Sequence, residues 1–194
     1  MTTGHTPHDL GSSAQLCGYT SAILGQMVSV IGPYLGEHQP DYAAHVGAHI
    51  RHIIEHYDTL VMALSAPKLA PDAAYVADYD ARARSLDVEA DPSEALRRIA
   101  LIEAAFGARA GMSDAAMLHP VHVYTRGGLM GEHNFCTPST VAREIMFLNS
   151  HATHHFAILQ GYARQRGQNL GPGVGKAPAT IAHEQRLINS QAAA

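Results

Sequence analysis

The chain has 194 residues, 46 % of them hydrophobic, and its 17 acidic and 13 basic residues give a formal net charge of −4 at pH 7. This composition predicts one packed domain over residues 1–194, excludes disorder as the main state and, without a basic cluster, argues against nucleic-acid binding. The only cysteines, Cys17 and Cys136, are too few for a disulfide framework, so we expect a cytoplasmic protein.

Apolar residues at helical spacing predict a first helix from near Ser12 to about Leu35. The stretch from Leu10 to Gly36 carries no charge and is long enough to span a bilayer. Polar side chains interrupt it, however, and no basic residue precedes it as in a signal peptide. We therefore expect a helix of a protein core and no membrane partner.

A second helix is predicted from near Asp41 to the residue before Pro67. The polar segment up to Ala90 is expected to form a loop or a short strand. Asp91 is then expected to cap a third helix by accepting from a backbone amide near position 94, in a capping box closed by the glutamate there. Gly111 lies beyond the predicted end of that helix.

Alternating apolar and polar residues after His119, followed by Gly127 and Gly128, predict a small hairpin. Thr137 is expected to cap a fourth helix that ends before Gly167. The apolar stripe of this helix advances in steps of four and three residues, which is typical of a helix-bundle seam. A short helix is expected within 177–194, and residues 1–10 and 185–194 are expected to be flexible.

Histidine occurs 14 times, and two of the predicted helices carry half of these residues. The second helix places four histidines on one face: His45, His49, His52 and His56. In the fourth helix His151 and His155 lie one turn apart on the apolar seam, whereas His154 points away. A lone histidine is usually structural, but burying adjacent imidazoles without partners is costly, so two facing stripes favour a divalent metal site.

Two other features have simpler interpretations. The end of the second-helix stripe at His45 and His49 is expected to be solvated. Glu144 lies seven residues before His151, too far to join the same metal shell, and is expected to form an ion pair for which Arg51 is the candidate partner.

Residues 47–56, 143–148 and 150–157 resemble the helix signatures of the DinB-like superfamily. Residues 78–84 and 174–180 are similar to a largely uncharacterised bacterial subfamily of DinB proteins, and the resemblance extends over about residues 15–184. It implies an all-α fold, an antiparallel four-helix bundle, with a small irregular or hairpin insertion before the last long helix.

The resemblance also implies a histidine triad that holds a divalent metal (zinc, nickel or iron), with ligands His52, His151 and His155. His49 is the alternative ligand, since it shares a face with His52. Relatives that use thiols make a low-molecular-weight thiol a candidate cosubstrate.

We therefore expect a metal-dependent transferase or hydrolase that acts on a small molecule, by thiol S-transfer or hydrolysis. The alternative is a non-catalytic bundle that binds or senses metal. No catalytic residue is assigned, and a homodimer is left open.

Overall fold

The computed structural model describes residues 11–68, 70 and 72–192. Most of these residues are helical: α1 (Ser13–Ile31), α2 (Gln39–His45), α3 (Gly47–Ser65), α4 (Leu86–Ala90), α5 (Pro92–Gly107), α6 (Asp114–Met117), α7 (Val141–Gln165) and α8 (Pro178–Ala192). Three strands complete the fold: β1 (Tyr75–Asp78), β2 (Pro120–Gly127) and β3 (His133–Thr140). The expected flexibility of residues 1–10 concerns a segment outside the described residues.

The core lies between four long helices, α1, α3, α5 and α7. Helices α1 and α3 each pack against both α5 and α7. Ser12 begins α1 with the reciprocal capping box it forms with Gln15, and 3-10 turns follow Ile31 at the Gly-Pro pair. Helix α1 is long and apolar enough to cross a membrane, but its Met27 and Val30 side chains are fully buried, as in a core helix of a globular domain.

The predicted second helix is divided in two at Val46, whose backbone departs from helical geometry between α2 and α3. The cause is the close approach of α4. A Cβ atom on Gly47 would lie 1.8 Å from the backbone oxygen of Glu89. The prediction of one continuous helix was wrong because this contact joins parts of the chain that are distant in sequence.

The hairpin prediction is confirmed, but the sheet is larger than a hairpin. Strands β2 and β3 are antiparallel, and β1 pairs in parallel with β2, so the order is β1-β2-β3. Val121 and Val123 face the core. The fold is therefore mostly helical with a three-stranded mixed sheet, and not all-α.

Two predicted helix starts need correction. Thr137 belongs to β3, and the side chain of Thr140 caps α7 instead. Because β3 is an edge strand, it tolerates the proline that follows Thr137. Asp91 caps α5 as expected, but it accepts from the Ser93 amide, and Glu94 pairs with Arg97 and does not close a capping box.

The C-terminal segment returns across α7 before it forms α8. Gly175 has φ +74°, and a Cβ atom there would lie 2.4 Å from the backbone nitrogen of Ala157. Helix α8 has no buried residue among those described, and the expected flexibility of 185–194 stays a prediction.

Candidate metal centre

Three of the predicted site residues come together between α3 and α7. One nitrogen from each of His52, His151 and His155 lies within 4.8 Å of the other two, and their ring centroids are 4.7–4.9 Å apart. His151 and His155 share a face because they are one turn apart, and His52 meets them from the opposing helix. Nε2 of His151 is buried and has no hydrogen-bond partner among the described residues.

The three imidazoles are held neutral. Burial is the largest cause that lowers the pKa of His52 to about 3 and the pKa values of His151 and His155 to about 4, and the neighbouring histidines lower them further. A neutral imidazole offers a lone pair to a cation without first losing a proton. An orphaned buried nitrogen among neutral imidazoles therefore fits a divalent metal.

His56, which the sequence placed on the stripe without a role, belongs to the same cluster. Its side chain is buried, and its ring centroid lies 4.3 Å from that of His52 and 4.7 Å from that of His151. Its Nδ1 lies 2.6 Å from the carbonyl oxygen of His52, which can only accept, so Nδ1 carries the proton. The four-residue spacing after His52 is the signal that could have identified it.

The expectation of a solvated end holds for His45, which is exposed, but not for His49. Nδ1 of His49 lies 2.8 Å from Nδ1 of His155, and burial lowers the pKa of His49. His49 thus contacts a candidate ligand. His154, one position before His155, is exposed, in agreement with the helical geometry.

Glu144 does not pair with Arg51, which binds Glu89 instead. The Glu144 carboxylate is fully buried in α7 and accepts hydrogen bonds from Tyr79, Ser139 and Arg143. A buried charge needs such partners, and α7 supplies one while the sheet and the segment after β1 supply the others. The Tyr79 ring in turn stacks on His56 at a centroid distance of 5.4 Å. Glu144 therefore contacts the histidine cluster indirectly, through Tyr79.

A pocket of about 480 Å³ opens beside the cluster. Helices α3 and α7 form one wall, with His52, His56 and His151, and the sheet forms the facing wall. The polar and charged residues of the lining include Asp80, Arg82, Arg143 and Glu144. The arrangement can hold a cation on one side of a space large enough for a small molecule.

Comparison of the chain with protein-family models, with curated proteins and with solved structures gives no match in any of the three.

Proposed function

We propose that the protein is a metal-dependent enzyme that acts on a small molecule at the His52, His151 and His155 cluster. The observation that carries the proposal is the convergence of three neutral imidazoles, one with a buried unpartnered nitrogen, beside an open pocket. Three histidines with an open fourth position are a common arrangement for catalytic metals, and imidazole suits zinc, nickel and iron.

When bound, a divalent ion would supply Lewis-acid activation of a water or thiol nucleophile near neutral pH. Thiol S-transfer and hydrolysis both use such a nucleophile, with a low-molecular-weight thiol as cosubstrate in the first case. The protein's own contribution is to present neutral imidazoles, to orient His155 through His49, and to shape the pocket with the sheet.

We further propose that α1, α3, α5 and α7 form an antiparallel four-helix bundle of the DinB-like type. The packing of α1 and α3 against both α5 and α7 supports this arrangement, and the burial of one face of α1 supports a helix of a protein core over a membrane span. We also propose that the protein is cytoplasmic. A homodimer is compatible with this bundle, and a measurement of the protein's molar mass in solution tests it.

Elemental analysis of untagged protein tests the metal site. We expect stoichiometric divalent metal in the wild type and its loss in a double variant, His151→Ala with His155→Ala. His154→Ala, which removes an exposed histidine from the same turn, is the matched control and should retain the metal. Equal metal content in the wild type and the double variant would contradict the site.

A second function, a non-catalytic metal-binding or sensing site, is favoured by His56. A fourth imidazole this close to His52 and His151 could close the coordination shell. X-ray absorption of zinc-loaded protein distinguishes the two functions. Four imidazoles in the wild type and three in His56→Ala would support the closed site, whereas three in both would support the open, catalytic one.

A further inference from the structure

Arg82 reaches the histidine cluster from the segment between β1 and α4, and this segment is fixed at both ends. The Asp78 carboxylate accepts from the backbone amides of Asp80 and Ala81 at 3.0 and 3.2 Å. The amide of Ser85 donates to the Glu55 carboxylate at 2.7 Å. The guanidinium is therefore held over α3, half-buried beside the pocket.

The guanidinium of Arg82 is stabilised by the nearby charges of Glu55 and Asp80, but neither carboxylate binds it directly. Within the described residues it forms no ion pair, and its buried Nε has no hydrogen-bond acceptor. Its hydrogen bond is from Nη1 to Nδ1 of His52. The second arginine of the pocket, Arg143, differs because it pairs with the buried Glu144 carboxylate at 2.9 Å. Of these two pocket arginines, Arg82 is the one whose donors are not taken up by a carboxylate.

The contact between Arg82 and His52 cannot persist when His52 binds a metal. If the metal binds Nδ1, it takes the lone pair to which the guanidinium donates. If the metal binds Nε2, the neutral imidazole carries its proton on Nδ1, and a guanidinium has no lone pair to accept it. Nδ1 of His56, 3.4 Å from Nη1, is no substitute acceptor, because its proton points to the His52 carbonyl.

We propose that Arg82 is the substrate-binding residue for an anionic group, a carboxylate or a sulfate- or phosphate-like oxyanion. When the metal displaces its contact with His52, the Nη1 donor of this pocket-lining arginine is released, and a guanidinium binds such groups through two parallel hydrogen bonds. The proposal rests on the proposed function: the substrate carries its anionic group at Arg82 while its reacting group lies at the histidine cluster.

The first test measures zinc affinity by competition with a chromophoric chelator. Arg82→Gln removes the competitor for His52 and a repelling charge, so it should bind zinc several-fold more tightly than the wild type. Arg84→Gln is the matched control, since Arg84 is exposed in the same segment, and it should leave the affinity unchanged. Unchanged or weaker zinc binding by Arg82→Gln would contradict the inference that the Arg82–His52 hydrogen bond and metal binding at His52 exclude each other.

The second test titrates zinc-loaded protein with sodium sulfate and, separately, sodium acetate, following the arginine Nε–H signals by NMR. We expect the Arg82 signal to shift saturably, and the anion affinity to fall at least about tenfold in Arg82→Gln but not in Arg84→Gln. A response to acetate alone identifies a carboxylate, and a response to sulfate alone identifies a tetrahedral oxyanion. Equal anion affinity in wild type and Arg82→Gln would overturn the proposal.

Melting curves show whether Arg82→Gln is folded, and Arg82→Lys provides a second variant that keeps the charge but loses the two-bond geometry. Its anion affinity should lie between the other two. The two proposals fail differently: a wild type that binds no zinc contradicts the metal enzyme, whereas zinc binding with no anion effect at Arg82 contradicts only this inference.

Discussion

Nδ1 of His49 lies 2.8 Å from Nδ1 of His155, a contact that links a histidine of α3 to a candidate ligand of α7. Only one of the two atoms can carry the proton. If His155 binds the metal through Nε2, its Nδ1 donates to His49, and His49 fixes both the tautomer and the orientation of the ring. The structure therefore favours a positioning role for His49 over the ligand role left open by the sequence.

This relationship predicts graded effects on metal affinity. We expect His52→Ala and His155→Ala to abolish tight zinc binding, and His49→Ala to weaken it by about 10-fold, because partners of metal-binding histidines contribute on that scale. His45→Ala, at an exposed position, is the control. Competition titrations measure all four variants, and a complete loss in His49→Ala with retention in His52→Ala would exchange the two roles.

The lowered pKa values predict that the metal-free protein loses stability in acid. Well above pH 6.5, the ordinary pKa of histidine in an unfolded chain, the imidazoles are neutral in both states, so they contribute no pH dependence there. As the pH falls from 6.5 towards 4, the unfolded chain takes up protons that His52, His151 and His155 in the folded state do not, and the free energy of unfolding decreases.

Melting temperatures of chelator-treated protein between pH 7.5 and 4.5 measure this effect. The decrease should be smaller in His151→Ala, which removes one of the groups, and unchanged in His122→Ala, whose side chain is exposed on β2. A melting temperature independent of pH over this range would contradict the lowered pKa values.

A buried polar network joins three helices and predicts a stability effect away from the site. The Tyr57 hydroxyl donates to the Asn149 side-chain oxygen at 2.8 Å, and the Asn149 amide donates to Thr20 at 3.2 Å. Tyr57→Phe leaves the buried Asn149 oxygen without its donor, so we expect a loss of about 1–3 kcal/mol. Denaturant unfolding measures this loss. The control is Tyr162→Phe in α7, where the side chain is half-exposed, and we expect its free energy of unfolding to change by less than about 0.5 kcal/mol.

Two glycines predict effects of opposite sign. Gly47→Ala places a Cβ atom against the rigid Glu89 backbone, so we expect a loss of about 2–3 kcal/mol. Gly18→Ala, in an open position of α1, should gain about 0.5–1 kcal/mol, since alanine favours a helix over glycine. Equal unfolding midpoints for the two variants would show that α4 does not constrain α3 in this way.

Local sequence patterns predicted what depends on local geometry. The start of α1 near Ser12 and the shared face of His151 and His155 follow from helical spacing alone. The division at Val46 and the parallel pairing of β1 with β2 depend on contacts between distant segments. The approach of Arg82 to His52 could not be predicted for the same reason, because it is set by where the segment after β1 is fixed.

The two facing walls of the pocket come from different kinds of secondary structure. The imidazoles project from α3 and α7, whose positions are fixed by the core, whereas the opposite wall comes from Val123 and Thr125 of β2 and Thr137 of the edge strand β3. Substitutions in that edge strand can change the width and polarity of the pocket without moving a candidate ligand. If the proposed function holds, changes in this sheet would alter which small molecule fits the pocket while the histidine cluster stays in place.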